Sequence, residues 1–126
     1  MILLGFRILW QYLPGNVFVC ALFWIVALFY TYIWFAKAHN YGAIIIGIGF
    51  CSNGLVSILN HGYMPVVGLI DSSVDGTIWI PATANTILPV LADHISYYGF
   101  SIGDMIISSG LLLGIGIYYY RRNFGV

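Results

Sequence analysis

Residues 43–67 read AIIIGIGFCSNGLVSILNHGYMPVV. The run begins as an apolar helix dotted with glycine, gathers Asn53, Ser57 and Asn60 on one side, and breaks at His61-Gly62-Tyr63-Met64-Pro65-Val66. Those three polar residues stand at i, i+4 and i+7, one stripe of a helix. A stripe that polar does not suit lipid. Inside a bilayer it faces protein, where hydrogen bonding between helices is its ordinary use and contact with a substrate or ion the sharper alternative. Gly47 and Gly54, with Gly49 between them, remove side-chain bulk and let neighbouring helices approach closely.

The composition calls for a membrane. Hydrophobic residues make up 61% of the 126 and charged residues 6%, and the mean hydropathy is +0.95. An average soluble domain carries about 25% charged residues. Four basic residues against four acidic ones leave no clustered cationic face for nucleic acid. Cys20 and Cys51 lie in apolar runs, where cysteine behaves as a small hydrophobe, and no Cys/His spacing offers a metal site. The length suits one polytopic membrane domain.

Residues 16–36 form the clearest span, about a bilayer crossing without a charge. Its aromatics thicken toward Lys37 as an interfacial belt. The segment 1–13 carries Arg7 and Gln11 on one helical face and is too short to cross, so a helix lying in the interface or half-inserted is expected. The polar connector 37–42 returns the chain into a second span over 44–59. Residues 61–100 hold three of the four prolines and should form a long irregular loop folded over the spans. Within it 66–70 and 76–80 read as extended pieces, and Asp75-Gly76 between them signals a small hairpin. A short helix or re-entrant touch is expected over 87–92.

The last span, 101–120, opens with Ser101 as N-cap and Asp104 at the third helical position, a capping-box spacing. Gly103, Gly110 and Gly114 share one face, and Gly110-x-x-x-Gly114 is a small-xxx-small pair. Lys37, Arg121 and Arg122 fall on one side of the membrane, which the positive-inside rule makes cytoplasmic. The fold class is thus an all-α membrane protein: three transmembrane helices, a short N-terminal interfacial helix and a long extracytoplasmic loop.

The break at Asn60-His61-Gly62-Tyr63-Met64-Pro65-Val66, the segment Leu88-Pro89-Val90-Leu91-Ala92-Asp93 and the start Phe100-Ser101-Ile102-Gly103-Asp104 together resemble the domain-of-unknown-function family numbered 5317, small prokaryotic integral membrane proteins. The resemblance runs over about 42–110. It departs at His61, where the family usually has glycine, and in a shortened first helix where the family has four spans. It implies a fold and a prokaryotic plasma membrane, and no activity.

Asn53, Ser57, Asn60, His61, Ser101, Asp104 and Ser108, with Asp93 and His94 of the loop, are expected to form one hydrogen-bonded cluster pinning the loop onto the helices. No catalytic spacing is found. The expected role is a non-catalytic accessory or assembly subunit packing against other transmembrane subunits and lipid. A small oligomeric transporter or channel lined by Asn53, Asn60 and Asp104 is the alternative. A subunit contacting pigment or quinone is another, with His39, His61 and His94 as conceivable ligands to chlorophyll or haem. No cofactor is predicted.

Overall fold

The computed structural model describes residues 8–9, 12–68, 78–93 and 100–125. Three helices dominate it: α1 (Val17–Ala38), α2 (Gly42–Leu59) and α3 (Ile102–Phe124). All three are long and apolar enough to cross a membrane. Of the expected N-terminal helix, residues 8, 9 and 12 are helical, whereas 1–7 and 10–11, with Arg7 and Gln11, lie outside the described residues.

Each helix end has a local cause. Asn16 accepts the Val19 amide at 3.1 Å and starts α1. His39, left-handed at φ 46°, stops it by donating its own amide back to Phe35. Asn40 then starts α2 from the connector, its Oδ1 accepting the Gly42 amide at 3.0 Å. At the far end of α2 the chain turns through His61 (φ 59°) and Gly62 (φ 82°). The Gly62 amide returns to the Ser57 carbonyl at 2.9 Å. The φ at 61 is one that glycine takes freely and histidine tolerates better than most side chains. The capping box of α3 is present in full, and the helix continues past residue 120 to end at Gly125 in the left-handed conformation.

α2 is the central helix, and the helices alternate in direction. Its Gly42–Gly49–Asn53 face meets α3, with Gly42 against Gly110 and Gly114, and Gly49 against Gly103. Another face meets α1, where Gly54 lies under Trp24 and Gly47 near Thr31. Trp24 and Cys20 form the centre of a small apolar core with Ile78 of the loop, joined by Phe23 and Phe50.

The loop is not wholly irregular, and the hairpin expectation is wrong. β1 (Met64–Val66) pairs with β2 (Trp79–Pro81) in parallel, Met64 opposite Trp79 and Val66 opposite Pro81. A two-residue turn cannot join parallel strands, because the chain must first travel back to the starting edge. Asp75-Gly76 itself lies outside the described residues. The other edge of β1 takes Asp93, whose amide donates to the Pro65 carbonyl while its carbonyl accepts from the Val67 amide. That bridge uses no N–H at residue 65, so proline fits there. The expected short helix is one turn of 3-10 helix, Pro89–Leu91.

Candidate functional site

The polar residues divide into separate groups. Where α2 meets the start of α3, Asn53 joins the cap. Its Nδ2 donates to Asp104 Oδ1 at 2.8 Å and its Oδ1 accepts the Ser101 hydroxyl at 2.7 Å. The Ser101 amide donates to Asp104 Oδ2 at 3.1 Å, and the Asp104 amide to Ser101 Oγ at 3.0 Å. Both carboxylate oxygens and both ends of the Asn53 amide are engaged. Gly103 is required beside this ring, since any side chain there would overlap Asn53.

Asn60, one turn further along α2 than Val56, clasps the loop. Its Nδ2 donates to the Val56 carbonyl at 2.7 Å and the Ile87 carbonyl at 2.9 Å, and its Oδ1 accepts the Ile87 amide at 3.0 Å. The side chain acts as a strand partner for one loop residue. Asn60→Leu is expected to orphan both backbone groups of Ile87 and cost about 1–3 kcal/mol. Thermal melting in detergent measures this, and an unchanged melt would refute it. Ser57 is fully buried and reaches Met64 Sδ at 3.4 Å.

Two predicted members stand elsewhere. His61 is exposed because its positive φ turns the side chain out of the helix line. Ser108 is exposed too, off the face that Gly103 and Gly110 turn to α2. His94 lies outside the described residues. The expected single cluster is therefore three smaller contacts: the Asn53–Ser101–Asp104 ring, the Asn60–Ile87 clasp and the Ser57–Met64 pair.

Asp93 is set apart by its chemistry. It is 2% exposed, and its Oδ1 has no hydrogen-bond partner among the described residues. Burial pushes its carboxyl up to about 7, the nearby Asp104 charge adds to the rise, and a hydrogen bond from the Trp79 indole opposes it.

The predicted packing glycines serve two interfaces. Gly103, Gly110 and Gly114 are the buried residues of α3 and face α2, whereas Gly47 and Gly54 face α1. At the opposite membrane end Asn40 spans the connector, donating from Nδ2 to the Gly114 carbonyl at 2.9 Å. Arg121 donates to the carbonyls of Ala38 and His39. Neither role was evident from sequence, because an asparagine in a short polar connector and an arginine at a helix end look like solvated groups.

Cys20 and Cys51 are free. Among the described residues no group of three or more His, Cys, Asp or Glu gathers to hold a metal ion. His39 is exposed at the α1 cap, with its ring edge-on to Phe35 at 6.5 Å.

No curated protein and no solved structure matches the chain. The family match reaches well beyond the 42–110 stretch that carries the motifs, taking in α1 and most of α3. The chain belongs to the family of unknown function DUF5317, whose sequence profile it matches over residues 4–116.

Proposed function

We propose that the chain is a non-catalytic accessory subunit that packs the outer face of α3 against a transmembrane helix of a larger complex in a prokaryotic plasma membrane. In this reading the Lys37, Arg121 and Arg122 end lies in the cytoplasm, as the distribution of basic residues favours, and the 61–100 loop lies outside.

The observation behind this reading is Gly116. A Cβ at that position would have nothing within 4 Å, whereas one at any of the α3 glycines turned to α2 would press on that helix or its neighbours. Gly116 lies on a stripe with Met105, Ser109 and Leu112, opposite the α2 seam; Met105 is 65% and Leu112 71% exposed. A helical glycine costs about 1 kcal/mol relative to alanine. Against lipid it brings nothing in return, whereas against another helix it lets backbones approach.

Mild purification from native membranes tests the proposal. Wild-type chain is expected to co-migrate with a stoichiometric set of other membrane subunits, and Gly116→Leu to lose them while melting at the wild-type temperature. A pure homo-oligomer that passes ions in liposomes would favour the transporter reading instead.

A further inference from the structure

α1 and α3 both pack on α2. Between them is a cleft of about 850 Å³, within the 300–1,000 Å³ typical of small-molecule sites. Its walls are mainly apolar, with Trp34 from α1 and Leu111, Ile115 and Tyr118 from α3, and Arg121 and Arg122 stand at the membrane-surface end. The cleft is braced from behind by the Asn40–Gly114 bond and by the grip of Arg121 on the α1–α2 connector. It is therefore a set shape rather than a loose gap.

Charge is distributed to match. Lys37, Arg121 and Arg122 share this end, while Asp93 and Asp104 belong to the other, with the Ser101 cap and the loop. Arg121 is committed to backbone carbonyls. Arg122 is exposed and makes no hydrogen bond or ion pair among the described residues. An apolar slot ending at an uncompensated guanidinium is complementary to an amphiphile with a long tail and an anionic head. A neutral quinone would leave Arg122 unanswered, and a further helix would bring its own polar backbone to a mouth already lined with cations.

We infer that the cleft between α1 and α3 holds one anionic phospholipid of the adjacent leaflet, its acyl chain against Trp34 and Ile115 and its phosphate at Arg122. This site lies about a quarter turn of α3 from the α2 seam and away from the Gly116 stripe, so it stands whether or not the partner-helix reading does.

Native mass spectrometry of the full chain tests it, released from neutral detergent after incubation with phosphatidylglycerol or phosphatidylcholine of identical chains. One phosphatidylglycerol per chain should be retained in preference to phosphatidylcholine. Arg122→Gln should reduce that preference about fivefold, the effect expected of one basic group near an anionic surface, and Arg122→Lys should keep most of it. Ile115→Trp, which fills the slot, should remove both lipids while the far-UV circular dichroism is unchanged. Glycerol phosphate without acyl chains should not compete. Equal retention of the two lipids, indifference to both substitutions, or displacement by glycerol phosphate alone would each overturn the inference.

Discussion

Gly49→Val is expected to destabilise the chain by about 3 kcal/mol, near the upper end of the range for overpacking a close-fitted interior. A Cβ at Gly49 would stand 2.6 Å from the Gly103 carbonyl oxygen and 2.9 Å from the Ile107 amide nitrogen. These are backbone atoms, which cannot rotate aside as a side chain can. The two helices must separate, and separation also breaks the Asn53–Ser101–Asp104 ring one turn away. Gly110→Val should act alike, since its Cβ would meet the Gly42 carbonyl and the Ile46 amide, both at 2.8 Å. Gly47→Ala is the internal control on the same helix, where the nearest atom would be the Thr31 hydroxyl at an ordinary 3.5 Å. It should be neutral, or stabilising by up to about 1 kcal/mol from helix propensity. Melting of the three variants in one detergent measures the contrast. Equal melting of Gly49→Val and Gly47→Ala would mean that the glycine seam is not the α2–α3 contact.

Asp93 is expected to make stability fall as pH rises. Its carboxyl titrates at about 7 in the folded chain against an ordinary value near 3.8, so the native state binds the proton more tightly than the unfolded state does. The stability this contributes is fully present below about pH 4, is lost progressively as pH rises to about 7, and is flat above. The difference across that window is on the order of 4 kcal/mol. Asp93→Asn keeps the shape and removes the charge. It should melt with the wild type at pH 4 and well above it at pH 8, whereas parallel melting curves across the range would refute the assignment. The cause is local. Asp93 is drawn inside by its two backbone bonds to the β1 edge, which leave its carboxylate near Trp79 and Asp104 with one oxygen unpartnered among the described residues.

The sequence disclosed what depends on neighbours along the chain. The 20-odd apolar residues of α1 allow few alternatives to a helix in lipid, and the Ser-x-x-Asp spacing at 101–104 describes a cap that needs no distant partner. The polar stripe of α2 was also visible, but its division was not. Asn53, Ser57 and Asn60 share a face, yet successive turns of that face look out on α3, on β1 and on Ile87. Their partners lie 51, 7 and 27 positions away, and spacing within one helix carries no information about that. Ser108 was misplaced although spacing alone excludes it: it stands about 140° around the helix from the face shared by Gly103, Gly110 and Gly114. The parallel pairing of β1 with β2 is set by where the chain re-enters the loop, which a turn signal between two extended runs does not report.

α3 is fastened at two levels, by the Asn53 ring at its start and by Asn40 of the connector holding Gly114 near its middle, and between them the α2 and α3 backbones touch. That pair has little freedom to change its crossing. α1 is held differently, gripped by Arg121 at its Ala38 end and resting along its length on Gly47 and Gly54. At 22 residues against the 18 of α2, it is also longer by about 6 Å. α1 thus joins the pair through side chains laid over glycines, Trp24 on Gly54 and Thr31 near Gly47, whereas α2 and α3 meet backbone to backbone.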